Sequence, residues 1–219
     1  MFLCCCTEAG NEHHQALFND PQFPYQDVVS ARRELVRNIE VKVKYEKGSS
    51  GKLGVDLDAI DIHRGLVVKG VLPDGLIAEW NRANPENAIK PSDKIFAVNN
   101  QVGTVQDLET HIVSSGPDLQ LSVRRPQRIE VTLQRPGSLG LRLHFKKSSK
   151  GVLVSEVLAD GLATDWNAKN PTRRITAGDR ILEVNGEALP PEDLIAKLAK
   201  EDVMVIHMLH YDQDVPKPV

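Results

Sequence analysis

Hydrophobic and charged residues alternate strictly from Ile39 to Glu46. A period of two is typical of a β-strand with one buried face. The pattern returns in the segment Ile129–Leu133. Short apolar runs bounded by turn residues predict four further strands in the first half of the chain: Val55–Ile60, Leu66–Val71, Lys94–Val98 and Leu119–Val123. We therefore expect a chain made mainly of strands.

Three segments have the character of helices. Gly75–Ala83 is rich in apolar residues and stops before Asn84–Pro85, which favours a short amphipathic helix. Val105–Ser114 and Pro191–Lys200 predict a second helix in each half of the chain. The proline at 191 fits a first helical turn, because the amide hydrogen that it lacks would have no partner there.

The two halves of the chain repeat one another. Shifted by about 86 residues, the sequence aligns with itself without a gap, and roughly 19 of the 48 positions from Lys52 to Asn99 are identical. The segment LPDGL at 72–76, for example, falls on LADGL at 158–162. Identity at this level is far above chance, so we infer a duplicated domain.

The repeat divides the 219 residues into four parts. We expect a cysteine-containing arm or linker at 1–38, one domain at 39–125, a second domain at 127–212 and a tail at 213–219. Each domain is predicted to be a small, partly open antiparallel barrel or sandwich of five or six strands, capped by two helices. The predicted fold class is α+β, mainly β.

Both domains share one order of elements: a strand, a Leu-Gly loop, two strands, a helix, the motif Gly-Asp-x-Ile-Leu-x-Val-Asn-Gly and a second helix. The second repeat keeps this motif intact at 178–186, and the first departs from it at Ser92 and Asn100. In this order and this motif, both domains resemble PDZ domains. The resemblance implies binding of an extended peptide, usually a free C-terminus, as a strand added between the second strand and the second helix. Loop amides would bind the carboxylate, and a glycine would let the main chain approach closely.

The resemblance also assigns candidate peptide-binding residues. The loops would be Lys52-Leu53-Gly54-Val55 and Ser138-Leu139-Gly140-Leu141. The other candidates lie on the second strand and second helix: Asp56, Leu57, Val105, Leu108, Glu109 and Ile112 in the first repeat, and Arg142, Leu143, Pro191, Leu194, Ile195 and Leu198 in the second. Ordinary core packing is the alternative interpretation of the apolar residues. Both second helices lack the family's histidine at their start, which predicts apolar or unconventional ligands.

In each repeat, the space between the second strand and the second helix is the predicted peptide-binding groove. Charged residues near these two grooves predict ligand preferences. Arg135, together with Lys47 or Lys52, is a candidate for steering the carboxylate. The second strands differ in charge, with Asp56 and Asp58 in the first repeat and Arg142 and His144 in the second. Charge complementarity predicts basic residues upstream in the first ligand and acidic ones in the second, against the alternative of unselective solvated charge.

Composition excludes several classes of protein. Hydrophobic residues at 41% and charged residues at 26% are ordinary for a globular chain, and a net charge of -3 gives no general attraction to nucleic acid. No segment reads as a membrane span or a signal peptide. With all three cysteines side by side, no disulfide framework is expected, so the chain is predicted to be cytoplasmic.

The cysteines Cys4, Cys5 and Cys6 follow apolar residues, a context in which S-acylation can anchor a protein to the cytoplasmic face of a membrane. A metal site with His13 and His14 lacks a recognisable ligand spacing, and a cluster without a role is the remaining alternative.

No catalytic motif is recognisable, so we expect a protein that is not an enzyme and needs no cofactor or metal. Two functions remain open. One is a scaffold or adaptor that binds extended, C-terminal or internal, peptides of other proteins. The other is a structural or membrane-tethering protein that acts by self-association of its PDZ-like domains.

Overall fold

The structure, a computed structural model, describes residues 36–44 and 52–211. The first repeat contains these strands and helices: β1 Arg37–Lys44, β2 Val55–Asp58, β3 Leu66–Val71, α1 Leu76–Ala83, a 3₁₀ turn Pro85–Asn87, β4 Lys94–Val98, β5 Gln101–Val102, α2 Val105–Ser114 and β6 Asp118–Arg125. The second repeat contains β7 Gln127–Gln134, β8 Leu141–His144, β9 Val152–Val157, α3 Leu162–Lys169, β10 Arg180–Val184, α4 Pro191–Lys200 and β11 Val203–His210.

The two sheets have the same strand order. The first runs β1-β6-β4-β3-β2, with β5 paired to β4, and the second runs β7-β11-β10-β9-β8. The observed strand pairs are antiparallel. This arrangement confirms the predicted fold, two small mainly β domains with two helices each. It also places β2 and β8 at sheet edges, and among residues 36–44 and 52–211 no further strand pairs with their outer sides.

Most predicted elements have the predicted bounds, but β2 is shorter than expected. It ends at Asp58, whose carboxylate accepts a hydrogen bond from the amide of Ile60 at 3.0 Å. Such a bond from an aspartate to the second residue after it turns the chain away from a strand. The two-residue strand β5 was not predicted, because two residues carry no periodic pattern.

A repeated asparagine explains one part of the shared sequence. In α1 the side chain of Asn81 accepts from the amide of Ile89 at 2.8 Å and donates to its carbonyl at 2.9 Å. In α3 Asn167 bonds the amide and carbonyl of Ile175 in the same way, at 2.7 and 2.8 Å. Each asparagine therefore fixes the segment that leads from the first helix to the next strand.

The repeats are joined directly and pack together. Only Pro126, which is buried, separates β6 from β7. Each repeat has its own apolar core. A third cluster joins Val67 of β3 to Leu209 and Tyr211 of the second repeat, with Leu182 packed against it. Both repeats belong to the same compact unit.

Polar contacts reinforce this junction. The Tyr211 hydroxyl donates to the carbonyl of Ser92 at 2.7 Å, and the Lys94 ammonium lies 3.8 Å from the centre of the Tyr211 ring. Asp58 pairs with Arg180 at 2.5 Å, and both side chains are almost completely buried. Because a buried ion pair holds its partners in one geometry, these contacts fix the orientation of the second repeat relative to the first.

Candidate functional site

The Leu-Gly loops, Lys52–Val55 and Ser138–Leu141, lie between the first and second strands of their repeats. In the first loop, three successive carbonyls accept hydrogen bonds from the β3–α1 segment: Lys52 O from the amide of Leu76 (3.1 Å), Leu53 O from Ile77 (3.1 Å) and Gly54 O from Leu72 (2.9 Å). The second loop repeats this pattern: Ser138 O accepts from Leu162 (2.9 Å), Leu139 O from Ala163 (3.0 Å) and Gly140 O from Leu158 (2.8 Å).

These carbonyl bonds orient the loop amides. In a planar trans peptide, the C=O of one residue and the N–H of the next point in opposite directions. With three carbonyls turned toward the first helix and β3, the amide hydrogens of Leu53, Gly54 and Val55 point away from them. Amides that point to the same side of a turn can bind an anionic oxygen.

Each loop depends on a pair of glycines. Gly54 has φ +75° and Gly140 has φ +69°, a region that side chains rarely adopt. A Cβ on Gly54 would lie 2.8 Å from the Cα of Gly75, and one on Gly140 would lie 2.5 Å from the carbonyl oxygen of Asp160. Gly75 and its counterpart Gly161 were not among the predicted site residues, although both are identical between the repeats.

The loops differ in one contact. In the second repeat the amide of Gly140 donates to the Ser138 hydroxyl at 3.2 Å, so the side chain occupies one of the three loop amides. The corresponding residue of the first repeat is Lys52, whose side chain is exposed. An incoming carboxylate would have to replace a hydroxyl contact only in the second loop.

One end of each second helix is bonded to the chain that precedes or follows an edge strand. In the first repeat the amide of Val105, the first residue of α2, donates to the carbonyl of Ile62 at 3.0 Å, just beyond β2. In the second repeat Arg135, which precedes the loop, donates to the carbonyls of Leu198 and Glu201 at the end of α4. Each helix therefore has its C-terminus toward the Leu-Gly loop and its N-terminus toward the far end of the edge strand.

The predicted groove residues fall into two groups. Eight are half-buried and pack on the cores while keeping an exposed surface: Leu53, Val55, Leu57, Ile112, Leu139, Leu141, Leu143 and Ile195. Five are buried behind them, with their side chains in the cores: Val105, Leu108, Pro191, Leu194 and Leu198. The eight half-buried residues remain candidates for the groove walls, and Glu109 of α2 is exposed.

Charges along the edge strands are paired within the protein. Asp56 pairs with Lys69 of β3 at 3.1 Å, and Arg142 with Glu156 of β9 at 2.5 Å. The expectation that Asp58 faces an incoming ligand is wrong. Its carboxylate is buried against the second repeat, where it also accepts from the amide of Lys150 at 2.9 Å.

Arg135 makes more contacts than a free steering charge would. Its guanidinium donates to Glu201 O at 3.1 Å, Leu198 O at 3.1 Å, Ala199 O at 3.3 Å and Gly137 O at 3.2 Å. The last carbonyls of a helix have no partner within the helix, and an arginine there satisfies them. This geometry favours a role in capping α4 over steering of a carboxylate. Of the other two candidates, Lys47 lies outside the described residues, and Lys52 is exposed in the first loop.

Burial shifts two titrations at the junction of the repeats. Removal from water lowers the pKa of Lys94 to about 8, an effect that the nearby Asp61 carboxylate opposes. Burial likewise raises the pKa of the Tyr211 hydroxyl well above its usual value. Asp93 and Asp179, which recur in the two repeats, accept the amides of Lys90 and Thr176 at 2.8 Å and so stabilise turns.

The part of the chain that the structure describes contains no cluster of three metal-binding side chains. Among the same residues, none of the helices combines the length and apolar character needed to cross a bilayer. Cys4, Cys5 and Cys6, predicted to be acylated, lie outside the described residues.

The two repeats share one order of strands, Leu-Gly loop and helices. No family model and no curated protein matches the sequence. Among solved structures, the chain is similar to INAD PDZ45 in complex with an NG2 peptide, with 17% identity over 84% of this chain and 94% of that one and a TM-score of 0.36. It is also similar to INAD PDZ45 in complex with NORPA CC-PBM, with 17% identity over 84% of this chain and 96% of that one and a TM-score of 0.34. A choanoflagellate SHANK1 PDZ domain bound to a GIRK3 peptide is similar as well, with 18% identity over 42% of this chain and 94% of that one and a TM-score of 0.33.

Proposed function

We propose that this chain is a scaffold without catalytic activity, which binds C-terminal or internal peptide segments of other proteins as an added strand on β2 and β8. The observation that carries the proposal is the orientation of the Leu-Gly loops. Their carbonyls are bonded to the β3–α1 segment and its counterpart in the second repeat, so that three amide hydrogens point the other way at the start of an edge strand.

The walls of the grooves indicate the side chains that would bind. We assign the end of the first groove to the half-buried Leu53, Val55, Leu57 and Ile112, and that of the second to Leu139, Leu141, Leu143 and Ile195, which pack on the cores and keep an exposed surface. An apolar last residue of the ligand would bury apolar area there, worth about 25 cal/mol per Å². Val105 and Pro191 at the helix starts offer no side-chain hydrogen-bond partner, so we expect no preference for a hydroxyl at the third position from the end.

The test is titration calorimetry of the full chain with a peptide that ends in a free carboxylate, against the same peptide with a C-terminal amide. We expect the amide to bind at least tenfold more weakly, because the charge-assisted bonds to the loop are lost. Ile112→Arg and Ile195→Arg would each abolish one site. Val113→Arg is the matched control for Ile112→Arg, since Val113 lies on the same helix and is 64% exposed. Equal binding of acid and amide would refute recognition of a free C-terminus by the Leu-Gly loops.

We further propose that acylation of Cys4, Cys5 and Cys6 brings this cytoplasmic scaffold to the inner face of a membrane. Two or more acyl chains anchor a protein stably, whereas one does so only marginally. We expect thioester labelling that hydroxylamine removes and that replacement of all three cysteines by serine abolishes.

Self-association is the alternative use of the grooves. Light scattering that shows a dimer, and its dissociation by a C-terminal peptide, would favour this alternative.

A further inference from the structure

The far ends of the two grooves are built differently. After β2, the chain runs from Asp58 through the buried Ile60 and Asp61 to Ile62, whose carbonyl accepts the amide of Val105 at 3.0 Å. This segment connects the end of the edge strand to the start of α2. Because the groove lies between that strand and that helix, the segment closes it.

The second repeat cannot form the same closure. Its residue equivalent to Val105 is Pro191, which has no amide hydrogen to donate. The residue equivalent to the half-buried Ala59 is Phe145, whose side chain is 41% exposed. Phe145 continues the alternating row of Leu141 and Leu143 beyond β8, so the apolar surface of this groove extends past the strand.

Basic side chains follow Phe145. Lys146 and Lys147 are both exposed. The Lys147 ammonium comes no closer than 3.8 Å to the Glu192 carboxylate of α4, and the two side chains are 88% and 44% exposed, respectively. A contact that long between exposed groups contributes little. A ligand carboxylate can therefore replace Glu192 beside Lys147 at little cost.

We infer that the two grooves read C-terminal segments of different length, and this inference rests on the proposed function. The first groove accepts about four residues, the number that pairs with β2. The second groove also reads the residues upstream of these, where an acidic side chain meets Lys146 and Lys147. A partner for the second groove is thus a longer C-terminal segment with acidic residues upstream.

The experiment compares two probes on the full chain: a peptide of about four residues with an apolar C-terminus, and a version extended at its N-terminus by about four more that include two glutamates. Ile195→Arg leaves only the first groove for measurement, and Ile112→Arg leaves only the second. We expect the extension to strengthen binding about fivefold at the second groove and less than about twofold at the first. An extended probe with glutamine in place of glutamate should lose most of that gain.

Val105→Pro tests the closure itself. A proline at the first position of a helix is well tolerated, and it removes the amide that bonds Ile62. In the Ile195→Arg background, this substitution should raise the affinity of the glutamine version of the extended probe relative to the short probe, because Ile60 and Asp61 stand where the second repeat has Lys146 and Lys147. Equal gains at both grooves, or a gain at neither while the short probe binds, would overturn the inference. Failure of both probes at both grooves would instead overturn the proposed function.

Discussion

Arg180 provides the strongest prediction about how the two repeats are held together. Its guanidinium is fully buried, pairs with Asp58 and donates to Lys150 O at 3.1 Å. Replacing it by methionine keeps most of the volume and leaves the Asp58 carboxylate buried without a cation. Removal of one partner of a buried ion pair typically costs about 3–5 kcal/mol.

Two features of the structure place the expected loss at the lower end of that range. The amides of Ile60 and Lys150 still donate to Asp58 at 3.0 and 2.9 Å, so the carboxylate is not left without partners. The Nε and the other terminal nitrogen of Arg180 are buried without a hydrogen bond, a cost that the substitution removes. We therefore expect Arg180→Met to lower the free energy of unfolding by about 3 kcal/mol.

Urea denaturation measures this change. The two tryptophans of the chain, Trp80 in α1 and Trp166 in α3, lie one in each repeat, so fluorescence of single-tryptophan versions follows the repeats separately. In the wild type both should unfold at the same urea concentration. In Arg180→Met the transitions should shift to lower urea and separate, because the repeats lose their main polar contact.

Two further variants make the prediction refutable. Arg142→Met breaks the exposed pair with Glu156 and should change stability by no more than about 0.5 kcal/mol. Arg180→Met combined with Asp58→Asn removes both buried charges and should recover most of the loss. If Arg180→Met were as stable as the wild type, or if the double variant were no more stable than the single one, the buried ion pair would not hold the repeats together.

Three other changes test separate contacts. Burial lowers the pKa of Lys94 to about 8 in the folded state, against 10.5 for an exposed lysine in the unfolded chain. Because the unfolded state binds the proton more tightly, the free energy of unfolding should rise between pH 8 and pH 10.5. In urea titrations, Lys94→Met should abolish that rise. It should also increase the free energy of unfolding at pH 7 by about 1 kcal/mol, because the removed burial cost exceeds the lost contact with the Tyr211 ring. If the variant kept the same dependence on pH, burial of Lys94 would not be the cause of the rise. Gly140→Ala should lower the free energy of unfolding by about 3 kcal/mol and abolish peptide binding at the second groove. Gly186→Ala is the control and should lower it by about 1 kcal/mol, because φ is +77° there but no atom lies within 4 Å of the added Cβ. Equal losses of stability would show that the close approach to Asp160 adds nothing. Arg135→Lys should lower the melting temperature without weakening peptide binding, because a lysine cannot make all the hydrogen bonds of the arginine to the end of α4. A loss of peptide affinity in calorimetry without a loss of stability would show instead that Arg135 steers the carboxylate.

The sequence predicted the elements and their order because these follow from local patterns. The alternation in β1 and the bounds of α2 and α4 depend on the residues of each segment and on a core within each repeat. The duplication helped, since a position identical in both repeats, such as Gly54 and Gly140, points to a shared geometric requirement. The same signal was present for Gly75 and Gly161.

The junction between the repeats could not be predicted in this way. Asp58 occupies a strand position that alternation assigns to solvent, and its cation, Arg180, lies 122 residues away. Lys94 is buried for the same reason, since Tyr211 of the other repeat covers it. The two repeats are not equivalent at the junction, because each contributes a different surface to it. Their self-alignment therefore carries no information about this surface.

The most direct test of the proposed binding mode is an amide-resolved NMR titration of the full chain with a C-terminal peptide. We predict that a free carboxylate shifts the amide resonances of the two Leu-Gly loops most strongly, those of Leu53, Gly54, Val55, Leu139, Gly140 and Leu141, and that a C-terminal amide does not. Shifts concentrated elsewhere on the chain, or the same loop shifts with the amidated peptide, would contradict this binding mode.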